Sequence, residues 1–157
     1  MSISSNTKKI VGERTKVFTL IDSAFSTVHP PSGWEGYFDV KDFERELGED
    51  FITGYWRDVY DSDVRITQYV LPFIMKHFAS AEEWSIEDAV NVELFIMQLT
   101  PAVQHEIGFG DFYETMYNQY SLEQKKAVCG WLKFMKGHAN GALISGIDDA
   151  ISYWCKS

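Results

Sequence analysis

The chain has 157 residues, 45% of them hydrophobic and 24% charged, which are ordinary values for one globular domain that needs neither disulfides nor metals. Its 23 acidic residues exceed its 14 Lys and Arg, and the formal charge of −9 repels phosphate backbones and anionic bilayers, so we expect neither nucleic-acid nor membrane binding. The same charge suits a basic protein partner, or it serves solubility alone.

The two cysteines, Cys129 and Cys155, form no CxxC pair and have no metal-ligand spacing. We predict that both are free thiols, buried as small hydrophobic side chains in a reducing cytoplasm. Charged residues interrupt the N-terminal stretch from Met1 to Phe25, and the longest apolar run elsewhere is far shorter than the roughly 20 residues of a membrane-spanning helix. We therefore predict neither a secretory signal nor a membrane helix.

The first predicted helix follows a short polar tail. We assign residues 1–8 to a disordered tail and residues 9–157 to a single helical domain. From Ile10 onward, apolar residues recur at helical spacing, and His29-Pro30-Pro31 ends the helix because proline disfavours α geometry in its predecessor. The apolar positions are Val17, Ile21, Ala24 and Val28, with Phe18 and Phe25 alongside.

A second, short helix is predicted between Asp39, which can cap its start, and Gly48, which suits a left-handed exit. Residues 49–63 have no clean period, and we predict an ordered loop there. The stretch from Ile66 to Ala79 is apolar nearly all round and is predicted to be buried. We expect Pro72 in the first turn of a helix within it, where proline is tolerated.

The central helix has the clearest start in the sequence. Ser85 opens Ser85-Ile86-Glu87-Asp88, which is close to a capping box, with Asp where Glu is usual. Helical spacing of apolar residues then continues up to Pro101. The residues of this apolar stripe are Ile86, Val90, Leu94 and Met97.

Three more helices are predicted in the C-terminal part of the chain. The first is capped by Asp111, the second begins with the full capping box that Ser121 opens, and the last ends near Trp154. No segment shows the sustained alternation of a strand. The sequence therefore predicts an all-α fold, a single compact domain of about six or seven helices.

No motif for a known chemistry is present. The four histidines include no pair at i and i+4 and no HExxH motif, so we predict no metal site and no cofactor. The acidic cluster at Asp58, Asp61 and Asp63 fails the spacing of a calcium loop. A small enzyme with a cleft formed by carboxylates and one histidine, His77 or His105, stays open as an alternative.

One short segment combines residue types that concentrate binding energy in protein interfaces. Tyr, Trp and Arg are such types, and acidic neighbours suit a basic counterpart. The alternative is that the aromatic residues anchor a loop to the core. The candidate partner-binding residues are Tyr55, Trp56, Asp58, Tyr60, Asp61 and Asp63.

Several short landmarks resemble a bacterial family of helical domains of unknown function, and the most distinctive is Tyr69-Val70-Leu71-Pro72. The resemblance spans residues 16–154. It implies a bacterial, helical protein and transfers no catalytic residue. The other landmarks are Ile21, Ala24-Phe25, Trp56, Asp58, Phe112, Ser121, Gln124, Leu132–Phe134 and Tyr153-Trp154.

Three functions remain open on this evidence. The leading hypothesis is a non-enzymatic interaction protein, of the immunity or antitoxin type, that binds a basic protein. The second is the small enzyme described above. The third is a structural homodimer whose aromatic surface is its own interface, since aromatics make up 15% of the chain.

Overall fold

The computed structural model describes residues 5–29, 64–82, 84–100, 106, 108, 110–138 and 144–156. In these ranges the chain forms helices and short connections and no strand, which confirms the predicted all-α class and a single domain. No helix among the described residues is long and apolar enough to cross a membrane. The six helices are α1 (Ser5–Ala24), α2 (Val64–Ser80), α3 (Ile86–Gln98), α4 (Gly110–Gln119), α5 (Leu122–Gly137) and α6 (Ile147–Trp154).

The predicted serine caps are present at two helix starts. The side chain of Ser85 accepts a hydrogen bond from the Asp88 amide at 3.1 Å. At the start of α5, Ser121 accepts from the amide of Gln124, whose side chain accepts from the Ser121 amide in return. Both helices therefore begin where the sequence predicts. The second predicted helix, Asp39 to Gly48, lies outside the described residues.

Helix α1 begins earlier than its apolar pattern does. Residues 5–8, which we assigned to the disordered tail, belong to α1, and residues 1–4 lie outside the described part. The exposed side chains of Lys8 and Lys9 give this turn no apolar pattern. Once a helix is nucleated, adding a turn of such residues costs little, so periodicity alone places the start too late.

The prediction for Pro72 was wrong, because Pro72 lies inside the continuous helix α2. An interior proline removes one backbone hydrogen bond and costs about 3 kcal/mol. Core residues on both sides offset this cost: Leu71 and Ile74 are fully buried next to it, and so is Met75. Burial of this one face therefore overrides the local preference to end the helix at the proline.

The core lies where α1 and α5 pack together, with α2 across them. A Cβ atom at Gly130 would lie only 3.1 Å from Cδ2 of Leu20, so the glycine permits a close approach of α5 to α1. Among the described residues, Trp131 and Trp154 are the largest fully buried side chains. The Trp131 ring lies edge-on to Phe95 with their centroids 5.5 Å apart, which joins α5 to α3.

Side chains from other elements satisfy carbonyl groups at the C-terminal end of α2. The indole of Trp131 donates to the Met75 carbonyl at 2.7 Å, and the indole of Trp84 donates to the Phe78 carbonyl at 3.3 Å. Nε of Arg14 donates to the Ala79 carbonyl at 2.7 Å. Beyond the helix, Nε2 of His138 donates to the Ala81 carbonyl at 2.5 Å. The last carbonyl groups of a buried helix require such partners, and those of Phe78 and Ala79 find them in Trp84 and Arg14.

The prediction of two free thiols was wrong, because Cys129 and Cys155 form a disulfide. The Cα atoms lie 5.0 Å apart, within the usual range for bonded cysteines. They are separated by 26 positions, and only the packing of α6 on α5 brings them together. No local sequence motif predicts this pair. The cysteines therefore give no support for a reducing compartment.

Tyr120 contributes a buried hydroxyl to the core, between Phe25 and Trp154. Among the described residues this hydroxyl has no hydrogen-bond partner, and burial raises the pKa of Tyr120 well above its usual value. A phenol without a partner costs free energy to bury, whereas a phenyl ring of the same shape does not.

We therefore expect Tyr120→Phe to raise the free energy of unfolding at pH 7 by about 1 kcal/mol. Because the folded-state pKa is raised, the wild type keeps its full stability below the unfolded-state pKa of about 10 and loses stability at higher pH. The advantage of the variant should then widen. Urea titrations at pH 7 and above pH 10 measure both effects, and an equal difference at the two pH values would contradict this account.

Candidate interaction surface

The predicted partner-binding residues lie outside the part of the chain that the structure describes. Their positions relative to the helices are therefore not given, and the assignment stays a prediction. They are Tyr55, Trp56, Asp58, Tyr60, Asp61 and Asp63.

A different surface stands out on α3, where apolar side chains point away from the core. Ile86 is 88% exposed and Val90 is 51% exposed, although both belong to the apolar stripe seen in the sequence. At the end of the stripe Met97 is half-buried. An apolar helical stripe normally faces the core, and this one does so only in part. We call Ile86 and Val90, with the exposed Glu87 and Glu93 beside them, the outer face of α3.

The inner side of α3 is set by its largest apolar residue. Phe95 is fully buried, with ring centroids 5.8 Å from Phe78 and 5.5 Å from Trp131. Its burial brings Val92 and Ile96 into the core with it. Phe95, Val92 and Ile96 together bury more apolar area on the inner side than burial of Ile86 and Val90 would, so the helix is rotated toward Phe95. The signal in the sequence for an outer face was that α3 has more apolar residues than one side of a helix can hold.

Only acidic charges surround the outer face along the chain. Residues 81–100 contain five acidic residues and no Lys, Arg or His. Glu82, Glu87 and Glu93 are exposed, and Asp88 is half-buried. An apolar patch between carboxylates favours a partner that presents apolar side chains between basic ones.

The basic residues are concentrated on a different pair of helices. Helices α1 and α5, which pack against each other, contain eight of the 14 Lys and Arg residues and only three acidic residues. The chain therefore separates its charges, with an acidic α3 and a basic α1–α5 layer. The eight basic residues are Lys8, Lys9, Arg14, Lys16, Lys125, Lys126, Lys133 and Lys136.

Three of the four histidines fall within the described residues. His138 is buried, stacked on Phe134 and bonded to the Ala81 carbonyl, while His29 is exposed. His77 is half-buried and lies edge-on to Phe78. In the described ranges no group of three or more His, Cys, Asp or Glu residues is placed to hold a metal ion. His105 lies outside those ranges.

A cleft lies between α1 and α2. It encloses about 120 Å³, against roughly 300–1,000 Å³ for a typical small-molecule site. An ion pair of 2.6 Å between Lys76 and Asp22 lies at its rim. The cleft can take one side chain but not a substrate of ordinary size. Its lining residues are Ile21, Asp22, Phe25, Val28, Tyr69, Pro72, Phe73 and Lys76.

Comparison with protein-family models, curated proteins and solved structures finds no match to this chain. The resemblance to a bacterial helical family therefore stays a prediction. The fold and the distribution of exposed residues are the evidence on which a function can be argued.

Two isoleucines of α3 test the orientation of the helix directly. We expect Ile96→Ala to lower the free energy of unfolding by about 2–5 kcal/mol, because the residue is fully buried. The same substitution at Ile86 should change it by less than about 0.5 kcal/mol, because that side chain is exposed. Chemical denaturation of both variants provides the measurement. Equal losses would show that Ile86 is buried and would remove the outer face.

Proposed function

We propose that this chain is a non-enzymatic interaction protein that binds a basic protein through the outer face of α3. The observation that carries the proposal is the exposure of Ile86 and Val90 among acidic residues, in a stretch that contains no basic residue. Contiguous exposed apolar patches rimmed by polar residues mark protein-interaction sites when they are large, and Ile86 and Val90 form the apolar centre of such a patch in this proposal.

The apolar and acidic parts of this face have separate roles. Covering Ile86 and Val90 removes apolar area from water, which supplies free energy of binding. Glu87 and Glu93 at the rim attract a basic partner and speed its approach. Rim charges of this kind affect the association rate and its salt dependence more than the affinity. Binding should therefore weaken as salt concentration rises.

A basic partner fits this face better than a second copy of the chain does. In a symmetric dimer the same patch occurs on both subunits, so Glu87 and Glu93 would meet their own equivalents. Like charges brought together in an interface oppose association. Self-association of the purified chain, measured by light scattering, would instead support the homodimer.

The concrete version of this function is a bacterial protein of the immunity or antitoxin type that masks a basic effector. The acidic net charge of −9 and the separation of charge between α3 and the α1–α5 layer both support it. Trp56 and Asp58 stay a proposed contact with the basic partner in their own right, as the sequence predicts. Masking requires only surface complementarity, so no catalytic group is needed.

We predict that Val90→Ser weakens capture of a basic partner from native cytosol at least tenfold, with Glu93→Lys acting in the same direction through charge. Leu122→Ser is the matched control, because Leu122 is 53% exposed and Val90 is 51% exposed, on different helices. Affinity capture, quantified by mass spectrometry at low and high salt, measures the effect. Trp56→Ala and Asp58→Lys test the predicted segment in the same experiment.

The pattern across variants decides the outcome. A basic protein lost with Val90→Ser and kept with Leu122→Ser supports the α3 face. If the same proteins are captured at equal yield by both variants, the α3 assignment is wrong. Loss only with the Trp56 and Asp58 variants would instead place the contact on the predicted segment.

A further inference from the structure

The disulfide joins α5 to the residue that ends α6. Cys129 lies inside α5, and Cys155 is the C-terminal cap of α6, where its amide donates to the Ile151 carbonyl at 2.9 Å. Both cysteines are only partly buried. A thiol reductant can therefore approach the bond without unfolding of the core.

Trp154, the residue before Cys155, connects α6 to α3. Trp154 is 1% exposed, and its indole donates a hydrogen bond to the Leu99 carbonyl at 3.0 Å. Leu99 is the C-terminal cap of α3, whose last carbonyl groups have no partner within the helix. The disulfide thus fixes Cys155, and its neighbour Trp154 donates the hydrogen bond to the Leu99 carbonyl at the end of α3.

The beginning of α6 also lies against this end of α3. Gly146 precedes α6 with φ at 85°, and a Cβ atom there would lie 3.2 Å from Oγ1 of Thr100. Thr100 directly follows the cap of α3 and is buried. Helix α6 therefore contacts the C-terminal end of α3 near both of its own ends.

Without the disulfide, α6 is held by noncovalent contacts alone, chiefly the burial of Ile147, Ala150 and Trp154 against the core. It has eight residues, and a helix this short is unstable on its own in water. The ion pair between Lys136 and Asp148 also joins α5 to α6, but both side chains are largely exposed, and such pairs contribute little. The disulfide is the covalent constraint that keeps α6, and with it Trp154, in register with α5.

We propose that the Cys129–Cys155 disulfide is a redox latch that controls the C-terminal end of α3 through Trp154. An effect on the outer face, which lies toward the other end of α3, rests on the proposed docking function, whereas the latch itself concerns only α6 and the end of α3. Oxidised, α6 holds the last turn of α3 in place. Reduced, α6 loosens, Trp154 releases Leu99, and the end of α3 frays.

The chemistry of the switch balances with a dithiol reductant. One thiolate of the reductant attacks a sulfur of the disulfide, and the second resolves the mixed disulfide. The bond between Cys129 and Cys155 breaks, both become thiols with two electrons and two protons from the reductant, and the reductant becomes a disulfide. Reoxidation by a disulfide such as oxidised glutathione reverses each step.

Hydrogen exchange of the purified full chain tests the latch without any partner. In the oxidised protein the Leu99 amide donates to the Ile96 carbonyl and the Thr100 amide to the Met97 carbonyl. We expect dithiothreitol to speed exchange of these two amides at least tenfold and to leave the middle of α2 unchanged. The double variant Cys129→Ser, Cys155→Ser should match the reduced protein and ignore the reductant.

Capture of the partner then separates the latch from the docking function. If the oxidised chain retains a basic partner and reduction releases that partner, the result supports both the latch and the docking function. Local loosening with no partner in either state supports the latch and contradicts the docking function. Equal capture of the partner in both states overturns the regulation. The latch itself is overturned if exchange at Leu99 and Thr100 is unchanged by reduction, or if every helix accelerates equally. It is also overturned if two thiols can be alkylated before reduction.

Discussion

The C-terminal half of α2 and the residue after it impose a constraint on most of the fold, because their carbonyl groups accept hydrogen bonds from side chains of several other elements. Helix α1 supplies Arg14, and Trp84 comes from the connection to α3. Helix α5 and its cap supply Trp131 and His138. Each bond joins residues that are distant in sequence or fixes the path of a connection. Together they set the directions in which α1, α3 and α5 leave this point.

The same requirement recurs at the end of α3, where the indole of Trp154 satisfies the Leu99 carbonyl. With its C-terminal end bonded to Trp154 and with Phe95 in the core, α3 has little freedom to rotate. Its surplus apolar residues, Ile86 and Val90, must then face outward. The proposed docking surface is therefore a consequence of how α3 packs in the core and of how its C-terminal carbonyl group is hydrogen-bonded.

The separation of charge corrects an argument from net charge alone. The value of −9 says nothing of where the charges are, and the basic residues gather on α1 and α5 while α3 carries acidic ones. A partner meets a local surface and not the average. For α3 the local and the net charge have the same sign, so a basic partner follows from both.

Local signals predicted much of the fold. The caps at Ser85 and Ser121 and the apolar period of α1 are properties of a few neighbouring residues, and the structure confirms them. Three features depended on distant packing and were not predictable in the same way. They are the burial that keeps α2 continuous at Pro72, the pairing of Cys129 with Cys155, and the rotation of α3 that exposes Ile86.

The residues of the outer face could be recognised in the sequence, but the orientation of α3 could not. Ile86 and Val90 were recognised as an apolar stripe, and the acidic residues around them were plain to read. Which side of α3 faces the core depends on Phe95 meeting Phe78 and Trp131, and these contacts come from other helices. A periodic pattern gives the face of a helix but does not say what covers it.

The most direct test of the central claim is photo-crosslinking in the native cell, with a photoreactive residue at position 86 and, as control, at position 122. Both side chains are exposed, one on α3 and the other at the start of α5. This account predicts a crosslink to a basic protein from position 86 and none to that protein from position 122. Crosslinks from position 86 only to the chain's own residues, or to a second copy, would contradict it.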